Sequence, residues 1–265
     1  MSLTLTILGC GSSGGVPRVA QGWGACDPNE PKNRRRRCSV LLRRRSVNGL
    51  TQVLVDASPD LRAQLLDADV SHLNAVLLTH EHADHTHGLD DLRPLALHMR
   101  SHVDLFMDER ISTIVKRKFG YMFQTPPGSS YPPFLRERRL SPGRAVDVEG
   151  SGGTISALPV EVEHGDVMAL GFRVGDLAYT PDVSALPTSA VAALQGLDIW
   201  IVDALRPTPH PSHFSLSDAL SWIGRMKPKR AVLTNLHTDL DYAALKARLP
   251  DYVEPAFDGL TIETA

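Results

Sequence analysis

Short apolar runs separated by polar turns dominate the first half of the chain. Residues 3–8 alternate between apolar and polar side chains, which is typical of a half-buried strand, and residues 74–78 are almost wholly apolar, which predicts a buried one. Continued along the first half, the same reasoning predicts strands over 39–43, 51–56 and 102–106, and helices after Pro59 and over 88–99 and 111–119.

The second half of the chain repeats this arrangement. Strands are predicted around 154–164, 170–174, 177–180, 199–203 and 231–235, and helices around 188–195, 215–226 and 241–248. Between the halves, residues 120–144 are rich in Pro, Gly and aromatic side chains and predict a long excursion near the mouth of a site. Strands followed by helices in both halves predict an α/β architecture of two mixed sheets packed face to face with helices outside, in one domain over 1–265.

Composition narrows the class of protein. The 265 residues include 42% hydrophobic side chains, enough for one sizeable core, and the formal net charge is −2. That charge argues against a general nucleic-acid or membrane binder, and no apolar stretch approaches the length of a bilayer span. The N-terminus lacks the features of a signal peptide, and Cys10, Cys26 and Cys38 are too few for a disulfide framework. We therefore expect a cytoplasmic protein.

Three imidazoles and a carboxylate follow the buried run at 74–78 within six residues: His80, His82, Asp84 and His85. Imidazole nitrogen and carboxylate oxygen are preferred ligands of zinc, manganese and iron. His80 and His82 alternate along an extended chain, and a tight turn would bring the other two back toward them. Four ligands so close together suit two adjacent ions better than one.

Further ligands are expected beyond other strands, since two ions need more than one loop. His164, Asp182 and His237 each lie just after or at the end of an apolar run. A carboxylate such as Asp182 can bridge two cations, which lie about 3.5–4 Å apart in two-metal enzymes.

The order of these seven residues resembles the metallo-β-lactamase superfamily, and within it the PhnP-like cyclic phosphodiesterases of the carbon–phosphorus lyase pathway. The likeness is carried by residues 8–17, 36–39, 55–62, 86–93, 171–174 and 233–242. It implies an αβ/βα sandwich with a two-metal site. One ion would be held by His80, His82 and His164, the other by Asp84, His85 and His237, with Asp182 between them.

The resemblance also implies a histidine outside the ligand set that donates a proton to the departing alkoxide. His213 matches that position better than His210. The chemistry would use hydroxide generated at the two cations, zinc or manganese, with His213, Asp182 and Asp84 as the catalytic residues. Asp56 would orient a ligand histidine.

One departure from the family pattern concerns a structural zinc held by three cysteines near position 20 and a later histidine. Gln21 and Trp23 stand at the first two of the cysteine positions, and Leu240 at that of the histidine, so only Cys26 remains. A closed zinc site needs four ligands. We therefore expect no structural zinc, and a loop over 23–37 held by packing and hydrogen bonds.

Basic residues bear on the substrate. Eight cations lie between Lys32 and Arg45, and such a run is more often a solvated face than an anion-binding surface. Arg18 and Arg93, which adjoin or lie within the family motifs, are better candidates for substrate binding.

These observations favour a dinuclear metal hydrolase that cleaves a small cyclic or nucleotide-like phosphodiester. An endoribonuclease that processes tRNA 3′ ends is an alternative, weakened because no Gly-rich basic arm is evident, so nucleic acid is not the expected partner. Hydrolysis of a thioester, lactone or lactam would not require His213. A binding module with a vestigial site is least favoured, because every ligand position is filled. The resemblance also favours a homodimer.

Overall fold

The computed structural model describes residues 2–264, which form two seven-stranded sheets. The first sheet contains β1 Ser2–Gly9, β2 Ser39–Ser46, β3 Gly49–Val55, β4 Ala75–Leu77, β5 Val103–Met107, β6 Leu135–Arg139 and β14 Thr261–Thr264. The second contains β7 Val146–Val148, β8 Ile155–His164, β9 Val167–Val174, β10 Leu177–Thr180, β11 Ile199–Asp203, β12 Arg230–Thr234 and β13 Val253–Pro255. The α-helices are α1 Leu61–Asp67, α2 Ala83–Thr86, α3 Arg93–Met99, α4 Glu109–Phe119, α5 Thr188–Ala193, α6 Leu216–Met226 and α7 Tyr242–Lys246.

The two sheets have the same plan. The first runs β14-β1-β2-β3-β4-β5-β6, and the second runs β13-β12-β11-β10-β9-β8-β7. In the first sheet the pairs from β14 to β3 are antiparallel and those from β3 to β6 are parallel. In the second the pairs from β7 to β10 are antiparallel and those from β10 to β13 are parallel. Each half of the chain therefore supplies most or all of one sheet with parallel strands, whose carboxyl ends share one edge.

Alternation along the strands separates two hydrophobic cores. In β11, Ile201 joins the core shared by both sheets, whereas Trp200 faces the second core beneath α5, α6 and α7. Phe172 of β9 also lies in the shared core and is 1% exposed. Each such buried side chain stabilises the fold by about 1.5–3 kcal/mol. The resulting four layers confirm the expected αβ/βα sandwich.

Local signals explain where α6 begins, immediately after the segment that carries His213. Ser215 accepts a hydrogen bond from the backbone N–H of Asp218, and the Asp218 carboxylate accepts one from the Ser215 backbone. Ala219, Ile223 and Met226 then lie buried on one side at helical spacing.

Several elements differ from the expectation. The helix expected over 88–99 is a 3₁₀ turn, Leu89–Leu92, followed by α3. The excursion at 120–144 contains β6, an edge strand whose arginines are exposed, so its apolar alternation is weak. The short strands β7, β13 and β14 were not predicted. No helix within residues 2–264 is both long and apolar enough to cross a membrane.

Candidate metal centre

The candidate ligands meet where the carboxyl ends of parallel strands open into loops. Asp182 follows β10, Asp203 ends β11 and Asn235 follows β12, and these strands are parallel neighbours. In the other sheet, Asp56 follows β3 and His80 lies just beyond β4, again parallel neighbours. Polar side chains from both sheets therefore converge at one edge of the sandwich.

The His80–His85 segment reverses direction at His82. The backbone of His82 is extended (φ −63°, ψ 155°), and its carbonyl accepts hydrogen bonds from the backbone N–H of His85 at 3.1 Å and from the Thr86 hydroxyl at 2.8 Å. This starts α2 and returns His85 to His80, with ring centroids 4.2 Å apart. The turn expected from the sequence is present.

Three imidazole nitrogens form the first ligand group. His80 Nε2 lies 3.0 Å from His82 Nδ1, and His164 Nε2 lies 3.3 Å from the same atom. His164 Nδ1 donates to the Ser212 carbonyl (2.6 Å), and His80 Nδ1 donates to the Thr79 hydroxyl (3.0 Å), whose own hydrogen goes to a buried carboxylate. Both Nε2 atoms of the neutral rings thus carry lone pairs that face a third nitrogen. A cation would satisfy all three.

The second group combines carboxylates with His85. Its Nε2 lies 2.8 Å from Asp182 Oδ2 and 3.4 Å from Asp84 Oδ2. Asp182 Oδ2 is buried and also lies 4.0 Å from His80 Nε2, so it adjoins both ligand groups. His85 Nδ1 lies 2.6 Å from Asp56 Oδ2, and Asp56 is fully buried. Asp56 thus lies where it can orient His85, as the sequence suggests.

The charges of this cluster also suit a cation. Burial lowers the pKa of His80 well below its ordinary value, with the charge of His85 adding to the effect, and this keeps the ring neutral. Burial also opposes a charge on His85, but Asp182, Asp84 and Asp56 outweigh it and raise the pKa of that imidazole. Buried carboxylates outnumber the buried cations. This set of nitrogen and oxygen donors therefore fits divalent ions.

His213 lies beside the ligand groups and is held by two residues that the sequence analysis missed. Its Nδ1 is 2.8 Å from Oδ2 of the buried Asp203, 3.0 Å from Asn235 Nδ2 and 3.3 Å from Asp182 Oδ1. Burial lowers the pKa of His213, but the charge and hydrogen bond of Asp203 outweigh it and raise the pKa to about 9. Asp203 and Asn235 lie at or just beyond the end of an apolar strand, as Asp182 does. The same sequence pattern could therefore have identified them.

His237 lies at the cavity but outside the two compact ligand groups. Its Nε2 accepts a hydrogen bond from the Arg18 guanidinium, and its Nδ1 lies 2.9 Å from Asp239 Oδ2. The backbone N–H of His237 donates to the Leu205 carbonyl at 2.9 Å. Arg18 is therefore at the site, as expected, and shares the wall with His237.

A cavity of about 230 Å³ joins these groups, and several hydrogen-bond donors are among its lining residues. The Ser12 hydroxyl is buried on its wall without a partner among residues 2–264. His210 Nδ1 accepts from the Ser212 backbone N–H at 3.3 Å, so the ring's hydrogen is on Nε2. Arg206 also lines the cavity. Hydrogen-bond donors at these positions suit an anionic or oxygen-rich ligand.

Arg93 does not line this cavity. Its guanidinium pairs with Asp90 at 2.8 Å and lies 5.2 Å from the Phe134 ring centroid, in a separate cavity formed with α3 and the 120–134 segment. The excursion at 120–144 therefore does not form the mouth of the ligand site. Most cations of the 32–45 run are likewise held elsewhere, for example Arg36 by Asp67 and Asp258.

Comparisons with known proteins place the chain in a family. The beta-lactamase superfamily domain matches residues 51–235. A crystal structure of a diphosphatase from the PhnP family is 34% identical, with a TM-score of 0.88 over 100% of this chain and 98% of that one. Zinc-bound PqqB from Methylobacterium extorquens (20% identity, TM-score 0.74, 98% and 99% covered) and human tRNase Z, short form (18%, 0.64, 98% and 98%) share the fold.

A protein of Porphyromonas gingivalis (strain ATCC BAA-308 / W83) named octanoyltransferase is 30% identical over 259 residues, which are 96% of this chain. The chain spans about half (50%) of the length of that relative. The family and the PhnP-family structure indicate a metal-dependent hydrolase, and the fold implies divalent metal binding. The chain belongs to the metallo-β-lactamase superfamily and is close to its PhnP-like members.

Proposed function

We propose that this chain is a phosphodiesterase that hydrolyses a small cyclic or nucleotide-like phosphodiester with two divalent cations, zinc or manganese. One observation carries the proposal: His213, with its pKa raised to about 9, lies in the same cavity as the ligand groups and contacts Asp182 at 3.3 Å. Asp203 and Asp182 keep this imidazole charged at neutral pH, so it holds a proton beside the ligand groups. Cleavage of an ester with a poor leaving group uses it.

In this proposal His80, His82 and His164 hold one cation. Asp84, His85 and His237 would hold the other, and Asp182 would serve both. The short contacts among His80, His82 and His164, and that between His85 and Asp182, support this division. His237 lines the same cavity as Asp84 and Asp182, which supports its inclusion, and its Nε2 would have to give up the Arg18 contact to bind the ion.

The bound cations would supply Lewis-acid activation of a water and neutralise charge that develops on the phosphoryl oxygens. Orientation of the ligands and delivery of the proton depend on the protein's own side chains. Asp56 holds His85 in one orientation, and Asp203 holds the proton on the His213 ring and fixes its Nδ1. The opposite nitrogen, His213 Nε2, is then the atom that protonates the departing alkoxide.

The hydrogen-bond donors that line the cavity support an anionic substrate. Ser12 and His210 carry hydrogens at the cavity wall, and Arg206 lines it while its Nε and Nη2 donate to the Thr208 and Pro209 carbonyls. They would bind oxygens of the phosphoryl group that do not contact the cations. The cavity of about 230 Å³ suits a small substrate.

A second candidate is cleavage of a diphosphate, because the 34% identical structure is named a diphosphatase. The two reactions differ in the leaving group. A phosphate leaves readily without a proton, whereas an alkoxide does not, so the requirement for His213 separates them.

Acyl transfer is the other chemistry that a relative's name raises, and it corresponds to the thioester alternative. The relative named octanoyltransferase is twice as long as the matched region, so its name does not identify which part acts on the octanoyl group. Processing of tRNA has only a likeness of fold, at 18% identity.

The experiment is a rate screen with zinc and then manganese, using 2′,3′-cyclic nucleotides, linear phosphodiesters, nucleoside diphosphates, an acyl thioester and a lactone. We expect the highest kcat/KM for a phosphodiester. A higher value for the thioester or lactone, undiminished in His213→Ala, would reject the proposal. A higher value for the diphosphates would favour the second candidate.

A further inference from the structure

Arg35 is a buried guanidinium whose hydrogen-bond partners are all neutral. Its side chain is 2% exposed, and it donates to the carbonyls of His237 and Leu240, to Asn33 Oδ1 and to Cys26 Sγ. The charge of Asp241 acts on Arg35 from beyond ion-pair distance. A buried charge that is not directly paired is costly unless strong hydrogen bonds compensate for it, and those of Arg35 connect it to the 237–240 turn.

The guanidinium holds both ends of one turn. Nη1 lies 3.3 Å from the His237 carbonyl oxygen, and Nη2 lies 2.7 Å from that of Leu240. The Leu240 N–H in turn donates to the His237 carbonyl at 3.2 Å. Because the turn also contains Asp239, whose carboxylate lies 2.9 Å from His237 Nδ1, it fixes both the backbone and the ring of His237.

Arg35 is itself fixed on the opposite side. Its backbone exchanges two hydrogen bonds of 2.9 Å with Val16. Asn33, which is fully buried, accepts from the Tyr242 N–H at 2.7 Å as well as from Arg35 at 3.1 Å. Gly24 shows how closely the two segments approach, since a Cβ there would lie 2.7 Å from Thr238 Cβ.

We infer that Arg35 is a positioning residue for His237: it clamps the 237–240 turn so that the imidazole is presented to the cavity in one orientation. The inference rests on the proposed function, in which His237 holds the second cation. Lysine cannot replace this arginine, because an ammonium lacks the planar fork that reaches two carbonyls at once.

The test is calorimetric titration of Zn²⁺ into wild-type and Arg35→Lys protein, each stripped of metal by dialysis against chelator. We expect two ions for the wild type. Arg35→Lys should bind the first ion as the wild type does and the second at least tenfold more weakly, and His237→Ala should show the same pattern. Arg173→Lys is the matched control, since Arg173 also donates to backbone carbonyls, those of Ala193 and Gln195, but does not line the cavity.

Wild-type affinity for both ions in folded Arg35→Lys would overturn the inference alone. A wild type that binds fewer than two ions would refute the metal pair of the proposed function and with it the inference. If Arg35→Lys does not fold, Asn33→Ala frees one arm of the guanidinium while keeping its charge. Weaker binding of the second ion by Asn33→Ala would support the clamp, and unchanged binding would overturn it.

Discussion

His213 Nδ1 and Asp203 Oδ2 lie 2.8 Å apart, and the carboxylate is fully buried. Burial raises the pKa of Asp203 to about 7 against the opposing charge of His213, whose own pKa is raised to about 9. Between these two pKa values the pair holds one proton, on the imidazole. A proton is thereby stored beside a site in which burial keeps His80 and His164 neutral.

Replacing His213 with Ala should reduce kcat for a phosphodiester with an alkyl leaving group by about 10²–10⁴-fold, the usual contribution of a general acid. A diester with a p-nitrophenyl leaving group needs less help and should lose much less. Steady-state kinetics with both substrates, and metal content by mass spectrometry, measure this. An equal loss for both substrates, or loss of metal, would show that His213 does not act as the acid.

The pH profile should depend on Asp203. Because His213 must be protonated to act, kcat/KM for an alkyl diester should fall at alkaline pH, and cations beside Asp182 would place that limb below the pKa of about 9 that the carboxylates alone set. Asp203→Asn removes the charge that raises the pKa of His213, while burial continues to lower it, so the alkaline limb should move to lower pH. Asp198→Asn, at the other end of β11, is the control and should leave the limb in place. An unmoved limb in Asp203→Asn would contradict the assignment.

Asp182 should determine metal content. Asp182→Asn keeps the size of the side chain but removes the charge that would lie between two cations, so fewer than two ions per chain should remain after dialysis. An ion whose free concentration is 100 times its Kd stabilises the folded protein by about 2.7 kcal/mol. The rise in melting temperature on adding Zn²⁺ should therefore be smaller in the variant. Asp104→Asn, which pairs with Arg136 and Arg138, serves as control, and two retained ions in Asp182→Asn would refute the bridging role.

His210 should contribute to binding rather than to chemistry. Its proton is on Nε2, and its pKa is lowered by burial and by the charge of His213. His210→Phe should raise KM about tenfold, or about 1.4 kcal/mol, with little change in kcat. His210→Gln retains a donor and should behave nearly as the wild type. A large fall in kcat with an unchanged KM would assign the residue a different role.

The ligand cluster was accessible from the sequence because strand ends are recognisable as abrupt changes from apolar to polar residues. Asp182 follows such a change, and the parallel strands β10 and β11 bring it to the same edge as Asp203. His164 ends β8, which is antiparallel to β9 and therefore runs in the same direction as β10. The turn at His80–His85 could be predicted from the sequence for the same reason.

Features that depend on packing between distant segments could not be predicted from the sequence. Arg93 adjoins a family motif, but α3 directs its guanidinium toward Asp90 and Phe134 instead of the cavity. His210 lines the cavity because of the loop before α6, and periodicity gives no information on such a loop. Strand β6 escaped notice because an edge strand needs only one apolar face.

The matching plans of the two sheets have a mechanical consequence. His80, His82, Asp84 and His85 come from the first half of the chain, and His164, Asp182 and His237 from the second. Each cation of the proposed pair would therefore act as a crosslink across the seam between the halves. Metal loading should tighten the whole sandwich, and a chain cut between β6 and β7 would need both pieces to recover an ion.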